Sequence, residues 1–155
     1  MEEHRVSTIT IRQAVLADIE PLSVLFDAYR QFYGREGNVA AAKKFLLDRF
    51  NHGESVLFIA HEGSDAIGFT QLYPSFSSVS LERIFVLNDL FVNELGRRKG
   101  AGSKLLSAAA DFAKAVGAIR LGLSTGNTNT TAQALYEAEG WERDDDFFYT
   151  YPIRS

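Results

Sequence analysis

Arg97-Arg98-Lys99-Gly100-Ala101-Gly102 places three cations and two glycines immediately before an amphipathic run that starts near Ser103. The first N–H groups of a helix have no intrahelical partner, and with the helix dipole they attract an anion. Gly100 and Gly102 let the backbone approach such a ligand closely, and the cations can contact outer phosphate oxygens. The chemistry on offer is pyrophosphate binding. The bland alternative is a strand-to-helix turn carrying solvated charge, so context must decide. Two common phosphate motifs are excluded: Ser103 follows Gly102 where a Walker loop needs lysine, and Leu105 stands at the third glycine of G-x-G-x-x-G.

A second constellation is Asn129, Ala132, Leu135 and Tyr136. Helical spacing puts Asn129, Ala132 and Tyr136 on one side and directs Leu135 to the core, so an amide and a phenol can line a groove. Asn129 also suits an N-cap, and Tyr136 a half-buried packing position with a bonded hydroxyl. A third signal is the pair Asn88-Asp89, which interrupts the nearly continuous apolar run from Leu81 to Val92. An ionised carboxylate in such a strand is costly unless hydrogen-bonded. His4, His52 and His61 have neither metal-ligand spacing nor a nucleophile partner, so no metal is expected and structural or surface roles are preferred.

The elements that must hold these residues follow from periodicity. Thr8 to Arg12 alternates as a short strand. Asp18 is expected to cap a helix containing Pro21, Leu22, Leu25, Phe26, Tyr29 and Phe32, ended by Gly34 and Gly37. Asn38 starts a second helix that closes near Gly53. Val56 to Glu62 and Ala66 to Tyr73 form a hairpin that Pro74 stops, and Leu81 to Val92 reads as a central strand buried on both faces. A helix then runs to Gly117. Ala118 to Thr125 forms another strand, and Thr130 to Glu139 another helix, with Gly140 beyond it. Trp141 to Arg143 and Phe147 to Pro152 are expected to supply the last strands. This order predicts a mixed sheet covered by helices, of class α/β or α+β.

The 155 residues suit a single domain, 46% hydrophobic and 23% charged, which excludes a disordered chain. A net charge of −4 argues against general affinity for nucleic acid and favours cationic small molecules or basic peptides. The absence of cysteine excludes thiol catalysis and thiolate metal sites. Met1 to Arg5 is charged rather than apolar, and no run approaches a membrane span, so a cytoplasmic protein without a membrane partner is expected.

Asp89-Leu90-Phe91-Val92, then Arg97-x-x-Gly100-x-Gly102, then Asn129-x-x-Ala132-x-x-Leu135-Tyr136 with Gly140-Trp141, in this order, resemble the GNAT superfamily of acyl-CoA-dependent N-acyltransferases. The likeness spans most of the chain. It implies a single domain over residues 1–155 whose sheet splays open, with acetyl-CoA between the strand ending at Val92 and the strand ending at Thr125. It further implies that Leu90, Phe91 and Val92 offer backbone groups to the pantetheine arm. Arg97, Arg98, Lys99, Gly100, Ala101, Gly102 and Ser103 hold the pyrophosphate, and Asn129, Ala132 and Tyr136 meet the cofactor from its other side.

On that reading a neutral amine attacks the thioester carbonyl, a backbone N–H near Phe91 stabilises the oxyanion, and Tyr136 protonates the departing thiolate. A phenol near 10 can donate to a thiolate near 8.5 if the transfer follows the developing charge. Asp89 and Glu82 are the carboxylates able to take the amine's proton. Several related polyamine-type enzymes carry a carboxylate one place before Asp89, where this chain has Asn88. Tyr29, Tyr33, Glu36, Gln71 and Tyr73 are expected near the amine acceptor. Homodimerisation follows from the resemblance alone. Two other classes share the turn: a catalytically silent acyl-CoA-binding regulatory domain, and an RNA-binding protein using Arg97 to Lys99.

Overall fold

In a computed structural model, residues 8–154 are described. Met1 to Arg5, including His4, lie outside the described residues. The chain forms two compact units, residues 1–124 and 125–155.

The first unit contains β1 (Ile9–Gln13), α1 (Ile19–Phe32), α2 (Val39–Asn51), β2 (Val56–Glu62), β3 (Asp65–Ser77), β4 (Glu82–Val92), α3 (Ala101–Ala115) and β5 (Leu121–Gly122). The sheet runs in sequence order, antiparallel from β1 to β4, with β5 joined parallel to β4. This is a mixed α/β fold.

Leu22, Leu25, Phe26 and Tyr29 recur at helical spacing on α1 and pack with Leu46 of α2 against Leu57, Ile59 and Phe69 of the sheet. The opposite face receives Leu105, Leu106 and Ala109 of α3, all fully buried. Each of the two leucines contributes on the order of 1.5–3 kcal/mol. Pro21 sits in the first turn of α1, where its missing N–H is not needed. Asn38 caps α2 as expected, its side chain accepting from the Ala41 N–H at 3.0 Å.

Several expectations change. Asp18 precedes α1 without capping it. Its carboxylate is taken instead by Arg12, at 2.7 and 2.6 Å, and by the Val15 N–H at 2.7 Å. The Arg12 guanidinium accordingly holds the Asp18 carboxyl below its ordinary range. Pro74 does not stop β3, because β2 pairs only as far as Leu72 and the strand beyond has a free edge that tolerates a missing donor. β4 is central but alternates between buried and exposed positions rather than being buried throughout. β5 shrinks from the expected eight residues to Leu121 and Gly122.

The second unit contains α4 (Thr130–Ala138). Among its described residues no strand forms, so the expected strands at Trp141 to Arg143 and Phe147 to Pro152 are corrected. Alternating side chains supply strand propensity, but a strand also needs a paired edge. Phe147, Phe148, Tyr149, Tyr151 and Ile153 are instead 85–94% exposed.

The closest strand approach gives a stability test. A Cβ on Gly68 would stand 2.7 Å from the Phe91 carbonyl oxygen, whereas one on Gly122 would meet nothing within 4 Å. Gly68→Ala should cost about 1–3 kcal/mol in urea unfolding. Gly122→Ala should stay within about 0.5 kcal/mol of the parent. Equal losses would show that β3 and β4 are not in this register.

Candidate active site

Along β4 the pairing with β3 slips by one residue: Leu72 faces Leu87, while Gln71 faces Asp89. Asn88 is therefore an extra residue, a β-bulge, and it inverts the phase of everything after it. Upstream, Phe85 packs on Phe112 of α3 at 5.5 Å. Downstream, Phe91 meets Tyr29 of α1 at 6.1 Å, although strict alternation would put both odd-numbered residues on one face.

The backbone inverts too. The Phe85 N–H donates to the Arg120 carbonyl on the β5 side at 3.2 Å, whereas the Asn93 N–H donates to Ile67 of β3 at 2.8 Å. Antiparallel alternation then points the N–H groups of Phe91 toward β3 and those of Leu90 and Val92 away from it. Among the described residues β5 pairs only with Phe85 and Val86, so it leaves that edge of Leu90 and Val92 uncovered. The Phe91 N–H is thus directed at β3, and the N–H groups near it that point away from β3 are those of Leu90 and Val92.

The bulge turns Asp89 onto the α1 face, where it is buried, with 4% exposure. Its Oδ2 accepts from Gln71 Nε2 at 2.6 Å and its Oδ1 from Asn88 Nδ2 at 3.1 Å. The Tyr29 hydroxyl also bonds it. Burial nonetheless wins over these donors and raises the Asp89 pKa above the ordinary carboxylate value. Burial, with the charge of Asp89, also pushes the phenols of Tyr29 and Tyr73 upward, so both remain protonated donors at neutral pH.

Beside this cluster a cavity of about 540 Å³ opens between α2 and β3, lined by Phe45, Arg49, Gly53, Glu54, Tyr73 and Pro74. Arg49 Nε donates to Glu54 Oε1 at 3.1 Å, and its guanidinium lies 4.7 Å over the Phe45 ring. Tyr73 joins the two regions, because its phenol feels both the anion of Asp89 and the cation of Arg49.

The turn before α3 has a built backbone. Arg98 and Gly100 take φ of 64° and 81°, the left-handed region, and Ala101 starts the helix. The Lys104 N–H is bonded back to the Gly100 carbonyl, while those of Ala101 and Gly102 precede the helical hydrogen-bond ladder. Alternating left-handed residues ahead of a helix make an anion-binding concavity, so this turn fits a diphosphate. A Cβ at Gly100 would meet no atom within 4 Å, which leaves the approach clear. Lys99 is bonded to Glu62 at 2.9 Å, and Arg97 Nε to the Val92 carbonyl at 3.2 Å, so the turn is tied to β2 and to the end of β4.

In the second unit Asn129 is the N-cap of α4, accepting from the Ala132 N–H at 3.2 Å. At the other end Trp141 N–H bonds the Tyr136 carbonyl and Gly140 N–H the Glu137 carbonyl, with Gly140 at φ 94°. That pairing is a Schellman motif, and it brings the rings of Tyr136 and Trp141 to 6.1 Å. Tyr136 and Leu135 are half-buried.

Glu82 stands at the exposed start of β4, roughly 23 Å along the strand from Asp89, so the two carboxylates are not brought together. Glu36 is exposed, while Tyr33 packs edge-on to Tyr29 at 5.0 Å. His52 Nδ1 hydrogen-bonds the Asp48 carbonyl, and among the described residues no three His, Asp or Glu side chains gather as a metal site. No helix among them is long and apolar enough to cross a membrane. Sequence reading had Phe45 and Arg49 only as helix positions and did not select Glu54. Their shared signal, an Arg one turn after a Phe, is too common to mark a cavity.

Comparison with known proteins agrees with this architecture. An uncharacterized N-acetyltransferase of Bacillus subtilis (strain 168) is 48% identical over 141 residues, 91% of this chain and 95% of that protein. The crystal structure of a probable acetyltransferase superposes with a TM-score of 0.89 at 40% identity, covering 94% of this chain and 99% of that one. An aminoglycoside N-acetyltransferase in complex with CoA shares the fold at a TM-score of 0.80 and 20% identity, over 97% of this chain and 99% of that one. Residues 22–141 match the family model described as Acetyltransferase (GNAT) family, and the chain belongs to that family.

Proposed function

We propose that this protein, as one catalytic domain over residues 1–155, transfers the acetyl group of acetyl-CoA to a primary amine by direct attack in a ternary complex. The observation that carries the reading is the bulge at Asn88, which sets a buried carboxylate beside a backbone edge that β5, among the described residues, does not pair. Leu90 and Val92 then offer N–H and C=O groups to an amide-containing arm, as an added strand would be held, and Phe91 packs beneath it. The turn from Arg97 to Ser103 takes the diphosphate. Asn129, Ala132 and Tyr136 have their cofactor roles from the family.

Asp89 removes the proton that an ammonium must lose before its nitrogen can attack. Its raised pKa makes it a better base than an ordinary carboxylate. As the N–C bond forms, an edge N–H of Leu90 or Val92 stabilises the carbonyl oxygen. The C–S bond then breaks, Tyr136 gives its hydroxyl proton to the leaving sulfur, and the nitrogen sheds its second proton to solvent as the neutral amide forms. Solvent restores both groups. Small-molecule amines, polyamine-like ones included, and protein amino groups are all compatible with this chemistry.

We also propose a homodimer, supported by the exposed apolar side chains from Phe147 to Ile153, which a second copy would cover. Light scattering should give twice the 17.2 kDa of one chain. A monomer at all concentrations would refute the dimer.

Kinetics test the roles directly. Asp89→Asn and Tyr136→Phe should each lower kcat by about 10²–10³-fold while acetyl-CoA still binds. The raised carboxyl must ionise to accept a proton, so kcat/KM should climb with pH along a limb above the ordinary carboxylate range, and Asp89→Asn should remove that limb. The stability of the parent relative to Asp89→Asn should fall as pH rises through the same interval, because the folded state holds this proton more tightly than the unfolded one. Acetyl-CoA binding with no turnover on any amine would favour the silent regulatory domain instead.

A further inference from the structure

We infer that the amine acceptor carries a carboxylate several bonds from its amine, and that Arg49 binds it in the cavity between α2 and β3. The inference rests on the acetyltransferase reading and adds the class of acceptor to it.

The cavity opens on the side of the sheet from which the acceptor must reach Asp89. Gln71, which bonds Asp89 at 2.6 Å, and Tyr73, which lines the cavity, are alternate residues of β3 and so share its α1 face. They stand about 7 Å apart along the strand. A molecule with its nitrogen at Asp89 and its far end in the cavity therefore spans several bonds. Phe45, Tyr73 and Pro74 form apolar walls for that span.

Arg49 is suited to the far end. Its Nε is bonded to Glu54 and its plane is held over Phe45, which leaves the two Nη groups as a preoriented fork for a carboxylate. Side-chain exposure is 28% for Arg49 and 53% for Glu54, so the cation lies deeper than the anion that holds it. The phenol of Tyr73 lies within the fields of both Arg49 and Asp89, so both charged groups are near it.

Three acceptors of matched length separate the cases: 6-aminohexanoate, 1-aminohexane and 1,6-diaminohexane, each assayed with acetyl-CoA. The parent should prefer 6-aminohexanoate over 1-aminohexane by about 10–100-fold in kcat/KM, the range of a charge-assisted hydrogen-bonded pair. Arg49→Met keeps the aliphatic stem against Phe45, and it should collapse that ratio toward one. Arg49→Lys should restore part of it, and Arg49→Glu should shift preference to 1,6-diaminohexane.

A parent that acetylates 1,6-diaminohexane or 1-aminohexane at least as well as the carboxylate would overturn the assignment. So would an Arg49→Met ratio equal to the parent's, or acetylation of other amines with none of the three used. Failure to bind acetyl-CoA at all would instead remove the underlying enzyme reading. Acetyl-CoA affinity of each variant reports whether it has folded.

Discussion

One extra residue in β4 governs the rest of the structure. If β4 paired with β3 without the bulge at Asn88, the phase set by Phe85 and Leu87 would continue, and Asp89 would point to the α3 face, away from Gln71. With the bulge, the carboxylate turns toward Gln71 and Tyr29, and the N–H groups of Leu90 and Val92 turn away from β3 while that of Asn93 bonds it. A bulge also increases local twist, which fits the early end of pairing with β5 after Val86. The facing of the carboxylate and the direction of the backbone groups after it thus come from a single bulge.

The cost of this arrangement is a buried charge. Three donors surround Asp89, yet desolvation remains the larger effect and its pKa stays raised. That imbalance suits a proton acceptor, since a carboxylate fully satisfied by its donors would be a poorer base. The surrounding aromatic packing keeps the site rigid: Phe26, Tyr29, Phe69 and Phe91 contact one another within 5.8–6.4 Å. Gln71 is fully buried with its Oε1 accepting no hydrogen bond among the described residues, a second polar group held there at some loss of stability.

Much of this was legible in the sequence where short-range rules act. Asn38 and Asn129 are caps, Gly140 closes α4, and the runs around Leu22 and Leu105 declare their buried faces through helical spacing. Asp89 stood out because an acid in an apolar strand needs a reason. The direction it faces did not, because a nearly continuous apolar run has no period from which to read a bulge. Long-range matters were equally hidden. Asp18 as a cap lost to Arg12, six residues back, and Pro74 lay in β3 because β2 had already ended. Arg49 gained meaning only once α2 lay against β3. The aromatic residues from Phe147 onward have the residue types of a strand, but the described residues there form none and their side chains are exposed.

The phase inversion can be observed amide by amide through hydrogen exchange, with and without acetyl-CoA. The account requires Phe91 and Asn93 to be protected in both states, held by β3, while Leu90 and Val92 exchange quickly alone and slowly with the ligand. Protection of Leu90 and Val92 without ligand, or a ligand response at Phe91 in their place, would mean that β4 carries no bulge at Asn88 and that the site is built differently.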